Sequence, residues 1–143
     1  MAGEALTIQV QTVSAAGAKI ALAAAEKLAE EKGQQVSIAV LDHAGYPVAL
    51  HRMDGATVTS VEAAIRKART AAQLRMPSKL FQDLLHGGMT TLLSLEFLTP
   101  MAGGMPLEAN GVVVGGIGCS GGSEEDDEAL ASAGAQAFAA AAG

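Results

Sequence analysis

Arg52 and Lys67 are cations set among apolar neighbours, a placement that suits capture of an anion. Arg52 follows Val48-Ala49-Leu50-His51 and falls on a strand face with Val48 and Leu50. A guanidinium there can hold a carboxylate through two parallel hydrogen bonds. The competing reading is an ion pair with Asp42 or Asp54 at the open end of a hairpin, because charges near a core are usually paired. Lys67 lies beside the apolar stripe of a helix. It reads as an anion contact, as a base if desolvated, or as a surface lysine whose stem lies along apolar neighbours. Asp42, Lys67 and Glu108 are the groups that could move protons on a bound organic acid.

The three histidines, His43, His51 and His86, do not fall at the spacing of a metal motif such as H-E-x-x-H. Each is a candidate iron ligand for haem, which needs only one axial protein ligand, although a lone histidine is more often structural. His43 lies in a turn and is expected to be exposed; His51 is on the strand face opposite Arg52; His86 ends a short helix. The covalent haem signature C-x-x-C-H is absent. The single Cys119 excludes an internal disulfide and a C-x-x-C metal site, and reads as a packed small residue.

Gly116-Ile117-Gly118-Cys119-Ser120-Gly121 matches the dinucleotide fingerprint G-x-G-x-x-G between a strand and a helix. That fold also needs a second strand after the helix, with an acidic residue about 20 positions further on, whereas this helix is the last element. It opens with Glu124-Glu125-Asp126-Asp127-Glu128, which neutralises the positive helix end a pyrophosphate would use. The expectation is therefore no nucleotide cofactor. The glycines read as a close-packed turn, and the acids as helix-dipole stabilisers capped by Ser123.

The elements that must position these residues follow in chain order. Thr7 to Lys32 reads as a long helix with Val10, Val13, Ile20, Ala24 and Leu28 near one stripe, interrupted by Gly17, where another element can approach closely. Val36 to Asp42 and Val48 to Met53 read as an antiparallel hairpin joined at His43–Pro47. Thr57 to Leu74 is a second helix with Val61, Ile65, Ala68 and Ala72 as its stripe, and Pro77 breaks it. Ser78 caps a short helix through Leu85; Thr90 to Pro100 fits either a helical turn or a strand. Asn110-Gly111 is a type I′ hairpin signal before the β-branched Val112-Val113-Val114. The last helix runs from about Glu124 to Ala142.

With 143 residues and no linker or repeat, the chain reads as one domain, residues 1–143, of the α+β class. Aromatics are 3 %, so the core must be built from small aliphatic side chains. The net charge of −6 argues against a nucleic-acid partner. No apolar run is long enough for a bilayer and no signal peptide is visible, so no membrane partner and a cytoplasmic location are expected.

The chain resembles the GlcG/HbpS-like family, the haem-binding-protein-like domain. The matching blocks are Val40 to Pro47, Arg52 to Ala56, Ala64 to Ala71, Gly103-Gly104-Met105-Pro106-Leu107, and Gly115 to Gly121 followed by Asp127-Glu128. The resemblance covers nearly the whole chain in order. It implies a five-stranded antiparallel sheet between helices, a profilin-like α/β/α sandwich, and assembly into dimers and higher oligomers, often octamers. It also implies haem or a related tetrapyrrole as the ligand, with Arg52 or Lys67 on the propionates. Two alternatives stand beside that reading. One is a cofactor-independent enzyme acting on a small organic acid in a catabolic pathway. The other is a structural assembly module. The low aromatic content weighs against haem, because apolar and aromatic walls usually line cofactor pockets. The ligand site is expected near the open end of the first hairpin, bordered by Arg52, Asp54, Lys67 and the Gly103-Gly104-Met105-Pro106 turn.

Overall fold

The computed structural model describes residues 3–143. Its elements are α1 (Ala15–Glu31), β1 (Ser37–Asp42), β2 (Pro47–Arg52), α2 (Val58–Leu74), α3 (Ser78–His86), a 3-10 turn (Thr90–Ser94), β3 (Gly104–Ala109), β4 (Val112–Ser120) and α4 (Glu124–Ala142). The strands form one antiparallel sheet in the order β2-β1-β4-β3. The α1/α4 pair covers one face, and α2 covers β1, β4 and β3 on the other. The sheet has four strands, not the expected five. The ambiguous stretch from Thr90 contributes the 3-10 turn rather than a strand.

The first helix is eight residues shorter at its start than its apolar pattern suggests, beginning at Ala15 and not at Thr7. Ser14 is itself in extended conformation and its Oγ accepts the Gly17 N–H at 3.0 Å. From Leu6 to Val13 the sequence alternates in twos and is rich in β-branched residues, which favours extended backbone. The buried stripe of α1 is Ala18, Ala21, Ala25 and Ala29, while Ile20 is exposed. Small residues win because α1 and α4 lie very close: a Cβ on Gly17 would stand 2.8 Å from the Phe138 ring, and one on Gly134 2.7 Å from the Ala21 carbonyl.

Both faces of β1 are buried. Ile38 and Val40 join the core under α1 and α4, and Ala39 and Leu41 pack with Ala64 and Ala68 of α2. The β3–β4 turn has the expected positive φ at both residues, 52° at Asn110 and 78° at Gly111. Gly104, Gly116 and Gly118 form a bare patch on the sheet. Cβ atoms there would collide with the backbone carbonyls of Lys67, Ala68 and Ala64 in turn. The fingerprint-like glycines thus seat the α2 backbone directly on the sheet. Among the described residues, no helix is long and apolar enough to cross a membrane.

Candidate functional site

Lys67 is neither a surface lysine nor a free cation. It is 2 % exposed, its Nζ lies 3.0 Å from Asp127 Oδ2, and it donates to the Cys119 carbonyl at 3.1 Å. Asp127, 3 % exposed, uses Oδ1 to accept the Gly122 N–H at 2.9 Å. The acid expected only to stabilise the helix dipole therefore ties α4 to α2. Gly103 has φ +121°, and a Cβ there would sit 3.0 Å from Lys67 Nζ, so its bareness makes room for the ammonium. Ser78 does not cap α3, whose N-cap is Pro77. Its hydroxyl donates to the Met101 carbonyl at 2.6 Å and accepts the Gly104 N–H at 2.8 Å. Lys67, Gly103 and Gly104 are thus brought together, but inside a packed node with Asp127 and Ser78. Met105 and Pro106 follow on β3, half-buried.

Cys119 is buried in the core, and burial, then the Asp127 carboxylate, pushes its thiol well above the ordinary cysteine range. We expect a thiol reagent at pH 8 to label Cys119 only as fast as the protein unfolds, and promptly in denaturant. Prompt labelling of the native state would show that β4 is open there.

Arg52 and Asp54 are exposed and lie elsewhere, in a groove of about 440 Å³ lined also by Glu26, Glu30, Gln35, His51 and Met53. His51 Nε2 stands 3.2 Å from Glu26 Oε1. The carboxylates of Glu26, Glu30 and Asp54 outnumber the cations in this groove, which makes it a poor host for a dianion. Asp42, one expected partner of Arg52, instead closes its own turn: Oδ1 accepts the Ala44 and Tyr46 N–H groups, both at 3.0 Å. Glu108 is exposed on β3, whereas Gly103 and Gly104 are buried. His86 is exposed at the last residue of α3.

His43 is exposed, as expected, and lines a different groove of about 440 Å³ with Val10, Ala72, Arg75, Val112 and Val113 among its walls. Its backbone N–H donates to Thr12 Oγ1 at 3.1 Å, which fixes the turn. Arg75 caps α2 at φ 56°, a left-handed conformation that turns the chain toward Pro77. This groove offers one imidazole, one guanidinium, the side chains of Gln9 and Gln11 and an apolar wall of Val10, Val112 and Val113, and no carboxylate lines it. The sequence reading passed over Arg75. The signal was Arg75-Met76-Pro77, a helix stop whose last side chain is cationic.

A family model described as "Haem degrading protein HbpS-like" matches residues 13–136. The chain belongs to the HbpS-like family. It is 34 % identical over 99 residues to protein GlcG of Escherichia coli K12, covering 69 % of this chain and 74 % of that protein. A crystallised double mutant of Streptomyces reticuli HbpS superposes with a TM-score of 0.87 at 35 % identity, over 95 % of this chain and 93 % of that one. A PduOC:heme complex superposes with a TM-score of 0.80 at 26 % identity, over 88 % and 94 %.

Proposed function

We propose that this protein binds haem or a related tetrapyrrole in the His43–Arg75 groove. The observation that carries this reading is the pairing of an imidazole with a guanidinium on a wall of Val10, Val112 and Val113, with no acid in the lining. An exposed imidazole there can supply an axial nitrogen, and Arg75 can take a carboxylate of the ligand through a charge-assisted contact. The bound ligand would supply redox and oxygen chemistry at its iron. The chain's part is to hold the ring edge between apolar side chains and to orient one carboxylate. The HbpS-like family and the haem-bound relative support the ligand class. The Arg52 groove, with its three carboxylates, is the less suitable place for the same anion.

Hemin titration followed in the visible spectrum tests this. His43→Ala is expected to abolish the Soret shift seen with the unaltered chain. Arg75→Met should weaken hemin binding about tenfold or more, since a charge-assisted hydrogen bond is worth roughly 1.5–3 kcal/mol. Arg52→Met should leave both affinity and melting curve unchanged. Weakened binding in Arg52→Met with full binding in His43→Ala would move the site to the first hairpin's open end. No hemin binding, with binding of a small dicarboxylate lost in Arg52→Met, would favour the organic-acid enzyme.

We also infer that the chain assembles as a homo-oligomer, with dimers building to an octamer. Leu80, Leu84, Met89, Leu93, Leu95, Phe97 and Met101 are all exposed within one stretch, more apolar surface than a lone chain usually leaves in water. Light scattering should give a mass several times the 14.3 kDa of one chain. A mass of one chain at micromolar concentration would end this reading.

A further inference from the structure

Residues 4–14 precede α1 as chain that pairs with no strand of the sheet. The root of this arm is fixed: the Val13 N–H donates to the Val114 carbonyl at 2.9 Å, and Thr12 Oγ1 accepts from His43. Beyond the root the arm is uncovered, with Leu6 97 %, Ile8 85 % and Val10 55 % exposed. These residues alternate with Thr7, Gln9 and Gln11, so in extended chain they share one side. From Ala5 to Val13 the arm carries no charge.

Beside the same root lies a pocket of about 380 Å³ between the start of α1 and the end of α4. Val13, Gly17, Ile20, Val114, Phe138 and Ala141 supply its apolar lining. Gln11, Thr12 and Ser14 are its polar members, and no charged side chain lines it. An uncharged, exposed apolar segment thus stands next to an uncharged apolar pocket.

We propose that the arm of one copy fills this pocket in a second copy, with Leu6 and Ile8 entering it. The arm's own pocket is the poorer choice, because Gln9, Val10 and Gln11 already line the His43 groove and the chain would have to reverse direction there. A twofold axis beside the root brings each arm to the other copy's pocket by one operation, which is the requirement of an isologous contact. From the root at Thr12, the four residues to Ile8 reach about 13 Å when extended. This inference rests on the assembly reading and is independent of the haem reading.

The test is a disulfide trap. Ile8→Cys mixed with Ile20→Cys and oxidised in air should give a covalent dimer, and neither single variant alone should. Cys119 is buried and does not compete. In the double variant on one chain, a disulfide within the chain would mean that the arm folds back, and would overturn the proposal. No disulfide in any combination would also overturn it, even if light scattering still showed an oligomer. As a second measure, Leu6→Asp with Ile8→Asp, and separately Ala141→Glu at the pocket, should each lower the mass seen by light scattering while circular dichroism stays that of the folded chain. Unchanged mass in both would reject the exchange.

Discussion

Replacing Lys67 by methionine is expected to lower the unfolding free energy by about 3–5 kcal/mol, the usual cost of leaving one member of a buried ion pair alone. The Asp127 carboxylate would keep only the Gly122 N–H, and the Cys119 carbonyl would lose its side-chain donor. Asp127→Asn should be of similar cost, because the Gly122 N–H and the Lys67 ammonium bond to different oxygens of the carboxylate, an amide has only one, and the buried ammonium loses its counter-charge. Replacing both residues, Lys67→Met with Asp127→Leu, should recover a large part of the loss, since a buried pair is often no better than apolar residues of similar volume. Urea melts of the unaltered chain, Lys67→Met, Asp127→Leu and the double variant form a double-mutant cycle that isolates the pair. A loss below about 1 kcal/mol for Lys67→Met, the range of an exposed pair, would contradict the burial described above.

The second large effect is expected at the sheet. Gly118→Ala places a methyl against the Ala64 carbonyl and 2.6 Å from the Ala68 nitrogen. Neither atom can rotate away, because both belong to the α2 backbone. The helix must lift from β4, and with it the contacts of Ala64, Ala68 and the Lys67 node. Overpacking of this kind costs roughly 1–3 kcal/mol, and more where backbone blocks relief. We expect the upper end, seen as a lowered melting temperature, with Gly116→Ala behaving alike for the same reason. Gly111→Ala, where a Cβ would meet open space but φ is +78°, should cost only the local conformational strain. Equal losses at Gly118 and Gly111 would mean that backbone conformation, not helix seating, governs this strand.

Among the candidate site residues, the histidines were legible as residue types but not as a choice. His43, His51 and His86 look alike in the sequence. Only the fold places His51 against Glu26 and brings His43 and Arg75, 32 positions apart in the chain, to the lining of one groove. The proposed gathering of Arg52 with Lys67 was reasonable from adjacency in the hairpin and helix. It needs the Lys67 ammonium available to an anion, and the carboxylate that takes it is 60 positions away on the last helix.

The sequence by itself determined the order of elements, the two hairpins, the alternation of β1 and the N-cap of α4 at Ser123. These rest on local physics: alternation in twos, positive φ at Asn110-Gly111, and a hydroxyl that accepts the Asp126 N–H. The tertiary structure alone decided which side chains are buried in α1, how many strands the sheet holds, and what the glycines of β4 are for. Burial in α1 went to alanines because the distance to α4 is set by Gly17 and Gly134, and interhelical distance is not a property of one helix. The arm before α1 alternates like a strand but touches the sheet backbone through the Val13 N–H to Val114 bond without forming a ladder, and strand pairing is a property of two segments. The glycine pattern has the same letters whether it cradles a phosphate or a helix. The backbone of α2 occupies the space, and that packing is written nowhere in the motif.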